Sequence, residues 1–372
     1  MGTEVAKDLS HNNDVELGVG DIDLDRAEAV ARNFRGSAFK VDVSNVEGLS
    51  GTVKGYDAVV NASWYEFNLH VMKACIKAGC HYNDLGGMFH MTRRQQELDG
   101  EAKKAGVTAI VGGGESPGIT NVMSAFAAEG FSQVESVKVF AGTKEEREAH
   151  DEQIHFPFSV ATVIDEYARD PVEFIDGRYS QVSAFSGEEV VEFPDPVGRN
   201  VCHYCLHSEP ATLPTTIGRG VQSVEFKIGV SERMLNVLKP LIALGLTSED
   251  TIRVNGTSIS PKQFLVSFFN SKVSANTVEP KRYVALKAIV LGNRNSRKET
   301  VTCDLIAGPR DESRNATAYL TGIAGSVFGQ FLASGKVSSS GVIAPEAAVQ
   351  PEIFIHELER RNIIIRKSTL SS

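Results

Sequence analysis

The sequence predicts a doubly wound α/β domain followed by an α+β domain built on a largely antiparallel sheet. Three observations carry that expectation. The first third alternates short apolar strands with helical segments, which requires a parallel sheet covered on both faces. After about residue 122 the alternation gives way to strand-like runs interrupted by separate helices. A chain of 372 residues, 42% hydrophobic and 23% charged, suffices for two domains with sizeable cores.

In the first domain, residues 1–122, strands are expected at 15–20, 38–41, 58–62, 81–85 and 107–111. Helices are expected at 24–34, 67–78 and 91–105, the second with Leu69, Met72 and Ile76 at helical spacing. The second domain, 123–315, reads as strands at 134–141, 201–206, 221–230, 284–291 and 300–306, with Asn255-Gly256 as a hairpin signal. Helices at 160–168, 234–244 and 261–269 interrupt them. A C-terminal segment, 316–372, opens with a helix at 316–333 and is followed by a Pro-containing tail.

Composition excludes several function classes. The net charge is −9 with no basic stripe, which argues against nucleic acid or an anionic membrane as partner. No apolar run is long enough to span a bilayer, and the N-terminus does not read as a secretory signal, so the cytoplasm is the expected compartment. Cys75, Cys80, Cys202, Cys205 and Cys303 are odd in number and read as reduced thiols.

A doubly wound sheet binds dinucleotides at the carboxyl ends of its strands, so the first domain is expected to be a Rossmann-type NAD-binding domain. Asp21 follows the first strand, where a carboxylate accepts both ribose hydroxyls and repels the phosphate of NADP; NAD is therefore expected, with NADP less favoured. Asp23 and Asp25 suit the start of a helix instead. Asp42 and Val43 are placed to flank the adenine, and Asn61, Ala62 and Ser63 to lie along the nicotinamide half. The glycine fingerprint between the first strand and first helix is missing. The opening residues already read as that helix, with Gly2 as the third glycine of the fingerprint. The natural chain is accordingly expected to start roughly ten residues upstream, supplying the missing central strand; the alternative is a truncated protein with weak or no nucleotide binding.

Two stretches, YDAVVNASWYEFNLHVMKACIKAGCHYNDLGG and ELDGEAKKAGVTAIVGGGESPGITNVMSAFAAEG, resemble the nucleotide-domain core of the saccharopine dehydrogenase-like family, nearest its lysine 6-dehydrogenase type. The similar motifs are Asn61 to Asn68, Asp84 to Gly87, and Pro117-Gly118, and the resemblance continues through FSVATVIDEYARDP and TGIAGSVFGQFLASGKVSSSGVIAPE. It implies an NAD(P)-binding domain, a catalytic domain, a C-terminal segment that returns to the first domain, and a homodimer. It also implies oxidation of an amine carbon of a lysine-related amino acid, with hydride passing to the nicotinamide and hydrolysis of the imine. On the matched motifs it implies cofactor contacts at Leu85, Gly86, Gly87, Pro117 and Gly118. The chain departs from the pattern at the missing glycine loop, at Gly114-Glu115-Ser116 where relatives often read Gly-Val-Ala, and between Cys202 and Leu213.

Amine oxidation needs an acid–base group near neutral pKa and an anchor for the amino-acid carboxylate, for which Arg is the natural choice. Asp84, at a strand end before Gly86-Gly87, is either a catalytic carboxylate or a turn aspartate bonded to local backbone. Tyr65 opens a helix at the ligand crevice and is a catalytic candidate, whereas Asn68 reads as a helix cap. The run from Cys202 to Glu209, on and just after the strand expected over 201–206, concentrates titratable groups and is weighed as strand. Cys202 and Cys205 then point to opposite faces, so no metal site is expected. That strand is read either as solvated or as delivering His203, His207 and Glu209 to the crevice. In the second reading a histidine is the acid–base group and Glu209 binds the substrate's distal ammonium. Arg199 and Arg219, flanking it, are the candidate carboxylate anchors. The Gly112 to Gly118 turn offers close backbone approach and helix-start N–H groups at the ligand end of the sheet.

Three functions follow: a lysine 6-dehydrogenase-like enzyme, a saccharopine dehydrogenase acting on a secondary amine, or a non-catalytic relative. Saccharopine, with three carboxylates, should require several of Arg178, Arg199, Arg219 and Arg233 in the cleft.

Overall fold

The computed structural model describes residues 1–146, 154–273, 280–310 and 315–371. In the first third, strands Ala58–Asn61, His81–Asp84 and Thr108–Ile110 pair in parallel, and Gly341–Ile343 from the C-terminal segment adds a fourth beside Thr108–Ile110. Strands Gly18–Asp21 and Ser37–Lys40 form a separate parallel pair. Helix Gly2–Leu9 precedes the first of these strands. Each short apolar strand is too narrow to bury itself, so helices such as Asn68–Ala78 cover the sheet through Val71, Met72 and Cys75, which pack with Tyr82 and Val111.

The second sheet has nine strands. Its main path runs Ile365–Ser371, Arg297–Ala307, Lys281–Arg294, Gln133–Glu146, Ser223–Gly229, Arg199–Tyr204, Glu189–Glu192; a hairpin of Val172–Ile175 and Arg178–Gln181 attaches to Ser223–Gly229. Only Gln133–Glu146 with Ser223–Gly229 is parallel, so the expected antiparallel character holds. Alternate residues of the long strands (Val137 and Val139, Leu286 and Ala288) bury against Ile119, Val122 and Met123 of helix Ile119–Ala127.

Several boundaries differ from the sequence expectation. The helix expected over 91–105 is two helices, Phe89–Gln96 and Asp99–Ala105. The strand expected over 201–206 ends at Tyr204, because the Leu206 amide bonds Glu166 O instead of a ladder partner. Glu209 and Pro210 then open the helix Glu209–Ile217, with proline where its missing N–H costs nothing. The Asn255-Gly256 turn forms as expected between Ile252–Val254 and Thr257–Ile259, with φ of 49° and 83°.

Helix Ala316–Ala333 crosses back to lie on helix Gly2–Leu9 and on strands Ala58–Asn61 and His81–Asp84. Asp8 fixes this junction, accepting from Ser326 Oγ at 2.6 Å and pairing with Arg361 Nε at 2.8 Å. No helix among the described residues is long and apolar enough to cross a membrane.

Candidate active site

The carboxyl ends of the first-domain strands, the second sheet and the C-terminal helix enclose a cavity of about 820 Å³. Small and apolar residues line its first-domain side, among them Gly2, Ala62, Ser63, Leu85, Gly86 and Gly87. Its charged lining is Glu115, Glu145, Glu166, His207 and Arg282.

His207 is buried, with its ring stacked on Phe226 at 4.0 Å between centroids. Its Nδ1 meets Glu209 Oε2, which leaves Nε2 as the nitrogen that serves the cavity. Glu209 also accepts from Ser116 Oγ at 2.7 Å and Thr120 Oγ1 at 2.8 Å. Burial by itself would push His207 down, but the adjoining Glu209 carboxylate outweighs it and holds the imidazole above its ordinary range. Burial would likewise raise Glu209; the His207 charge and the two hydroxyls hold it low. Glu166 has no such support: burial pushes its carboxyl up to about 7, with His207 opposing and Glu209 and Asp165 adding to the rise. Arg282, from strand Lys281–Arg294, pairs with Glu145 at 2.5 Å.

The structure brings together some of the residues singled out from sequence and separates others. His207 and Tyr65 line the cavity, but the Tyr65 hydroxyl is committed to Asp165 Oδ2 at 2.8 Å. Asp84 does not reach the cavity. It is fully buried and accepts from the amides of Gly86 and Gly112, both at 2.9 Å, from Gln95 Nε2 at 2.7 Å and from Tyr82 OH at 3.0 Å. The turn-aspartate reading therefore prevails, on a larger scale than a local turn. Glu209 is not a cavity ligand either, being consumed by His207, Ser116 and Thr120. His203 lies on the strand beyond the cavity, 3.6 Å from Glu188. Arg199 is exposed on the edge-side strand, and Arg219 turns away to the carbonyl of Ala128, so neither stands where a substrate carboxylate would lie. Arg282, Glu115 and Glu166 were missed. Arg282 sits inside a strand pattern that reads as core, and only three-dimensional closure shows that its side chain is buried at the cavity.

Among the residues expected to touch nucleotide, Gly2, Ala62, Ser63, Leu85, Gly86, Gly87 and Pro117 line the cavity. Asn61 lies just behind, its side chain bonded to Asn68 at 2.9 Å and to Ser63 Oγ at 2.7 Å. Asn68 is a bridge, not the expected cap: its Nδ2 donates to Gly86 O at 3.1 Å. Gly118 has φ of 127°, and a Cβ there would stand 2.0 Å from Gly114 O, so its glycine serves the turn itself. Asp21 ends its strand and accepts from the Asp23 amide at 2.9 Å; Asp42 accepts from the amide and hydroxyl of Ser44, and Val43 packs on the apolar core. These three lie outside the cavity lining. The strand-end glycines and small residues beside the first helix leave flat, side-chain-free surface of the kind a nicotinamide ring needs, so this end fits a pyridine nucleotide.

The chain matches the saccharopine dehydrogenase NADP binding domain over residues 1–110 and the saccharopine dehydrogenase C-terminal domain over residues 114–364. This chain belongs to the saccharopine dehydrogenase family. It is thus a family dehydrogenase that acts with a pyridine nucleotide on CH–NH type bonds. It is similar to carboxynorspermidine synthase of Vibrio alginolyticus, 23% identical over 96% of this chain and 92% of that protein. It is also similar to carboxyaminopropylagmatine dehydrogenase of Synechocystis, 23% identical over 90% of this chain and 86% of that one. The structure of apo saccharopine dehydrogenase (L-Glu forming) from Saccharomyces cerevisiae shares the fold, with a TM-score of 0.77, 17% identity and coverage of 99% and 97%.

Proposed function

We propose that this saccharopine dehydrogenase-family enzyme joins a cationic, polyamine-type amine to a carbonyl-bearing amino acid by reduction, giving an N-carboxyalkyl secondary amine. The observation that carries this reading is the charge of the cavity. Three carboxylates (Glu115, Glu145 and Glu166) face one guanidinium, Arg282, which is already paired with Glu145. Such a lining favours a substrate with one carboxylate and more than one ammonium. None of Arg178, Arg199, Arg219 and Arg233 lines the cavity, which disfavours saccharopine with its three carboxylates. Lysine, the substrate expected from sequence, satisfies the same charge pattern and is the second reading; the names of the two relatives favour a carboxylated polyamine.

In the joining direction the neutral amine adds to the carbonyl, and the His207 imidazolium protonates the departing hydroxyl, releasing water and leaving an iminium whose reduction gives the secondary amine. A raised imidazole pKa suits a group that must be an acid at neutral pH. Glu209 holds the ring and its tautomer, while Glu166 receives a distal ammonium. Gly2, Ala62, Ser63, Leu85 and Gly86 would hold a nicotinamide, which would supply hydride chemistry at the iminium carbon. In reverse, neutral His207 takes the proton from the water that attacks the imine. NAD is the proposed nucleotide, on the strength of Asp21 at its strand end, and a homodimer the proposed unit.

The test follows reduced-nicotinamide absorbance with NADH and NADPH, an ω-oxo amino acid, and agmatine or short diamines as amines. Consumption that depends on both carbonyl and amine supports the reading. Nicotinamide reduction with lysine, and none of this consumption, would replace it with the lysine 6-dehydrogenase reading. A preference for NADPH would remove Asp21 from the ribose role.

A further inference from the structure

Glu115 is a buried carboxylate of the cavity wall that the joining reaction does not use. It sits on the Gly112–Gly118 turn, which is fixed by Gly113 N to Asp84 O at 2.7 Å, Gly114 N to Pro117 O at 2.9 Å and Ile119 N to Gly114 O at 3.0 Å. The side chain is therefore held in the cavity wall and is only 5% exposed, and its Oε1 has no hydrogen-bond partner among the described residues. A buried carboxylate oxygen left without a donor is costly, and a ligand nitrogen is the natural donor to repay it. Arg282 and the Thr321 hydroxyl, from two other elements, lie beside it and favour its charged form, whereas burial pushes its carboxyl well above the ordinary range. Arg282 also makes an ion pair with Glu145, and both it and Glu115 line the cavity wall.

We propose that Glu115 and Arg282 form a clamp for a zwitterionic α-amino-acid head, with Glu115 accepting from the α-ammonium and Arg282 pairing the carboxylate. This rests on the joining reading for the site and adds the residues that select the amino-acid head of the carbonyl partner. Glu115 is thus a specificity-determining residue, placed apart from His207 and Glu166, which serve the reacting and distal nitrogens.

Three probes with a common skeleton separate the two halves of the clamp. L-2,4-diaminobutyrate carries both head groups, 4-aminobutyrate lacks the α-amine, and L-2,4-diaminobutyramide lacks the carboxylate charge. Calorimetric titration of the full chain should show diaminobutyrate binding at least about tenfold more tightly than either analogue, the scale of one charge-assisted hydrogen bond. Glu115→Gln should abolish the advantage over 4-aminobutyrate and keep that over diaminobutyramide. It should melt no lower than the natural chain, since it removes a buried carboxylate with one oxygen that lacks a donor. The clamp is overturned if the natural chain does not distinguish diaminobutyrate from 4-aminobutyrate, or if Glu115→Gln keeps the distinction. Binding discrimination without turnover would uphold the clamp and sink the joining reaction; turnover without discrimination would do the reverse.

Discussion

Glu166 and His207 lie in one buried pocket and titrate in opposite company. The Glu166 carboxyl rises from 4.5 to about 7 because burial outweighs the nearby imidazole. A group whose folded pKa is raised lends stability below its unfolded pKa, and that stability is lost as pH rises through the folded value. Glu166→Gln should therefore match the natural chain in thermal melts near pH 4 and exceed it above pH 7. Since Glu166 must be ionised to receive an ammonium, kcat/KM of the natural chain should fall as pH drops through about 7, and this limb should vanish in the variant. His207→Asn, which keeps a polar group but removes the proton donor, should lower kcat by about 10² or more. Unchanged turnover would end its acid–base role.

At the scale of elements, the site depends on two short transitions. The strand ending at Tyr204 passes within a few residues into helix Glu209–Ile217, and that sharp change puts Glu209 behind His207 and not beside it in the cavity. The second is the crossing of helix Ala316–Ala333 over Gly2–Leu9. A Cβ on Gly322 would stand 2.3 Å from Glu4 Cβ and 3.1 Å from the Glu4 carbonyl carbon, so the helices meet backbone to side chain. Gly322→Ala should force them apart and cost about 1–3 kcal/mol, read as a lowered melting temperature. It should also weaken nucleotide binding, because Met1 and Gly2 line the cavity from the end of that helix. A melt equal to that of the natural chain would show that the crossing tolerates a methyl group.

The molecule as a whole is closed by its last residues. Strand Gly341–Ile343 completes the first sheet and Ile365–Ser371 the second, so one C-terminal segment joins both. Ile363 and Ile365 are 2% and 9% exposed and belong to the same apolar core as Phe354 and Leu358. Ending the chain after Asn362 removes both isoleucines and an edge strand. At about 1.5–3 kcal/mol for each buried side chain, the melting temperature should fall by roughly 10 °C. The same truncation should leave Arg361 and Asp8 paired, so a loss of nucleotide binding at temperatures where the chain stays folded would be unexpected.

The sequence by itself determined the two fold classes, the helices over 160–168 and 316–333 and the Asn255-Gly256 turn, since periodicity and turn chemistry act over a few residues. It also singled out His207, in one of two readings of a run rich in titratable groups, and that residue lines the cavity. Tertiary structure decided which of those groups meet a substrate. Asp84 and Glu209 have the residue types of catalytic groups, but distant donors (Gln95, Ser116 and Thr120) claim their oxygens. Arg282 and Glu166 sit inside patterns that read as ordinary strand and helix, and only the closing of sheet on helix places them at one cavity. A carboxylate's role depends on which donors reach it and how much water remains, and both are set by contacts between elements far apart in the chain.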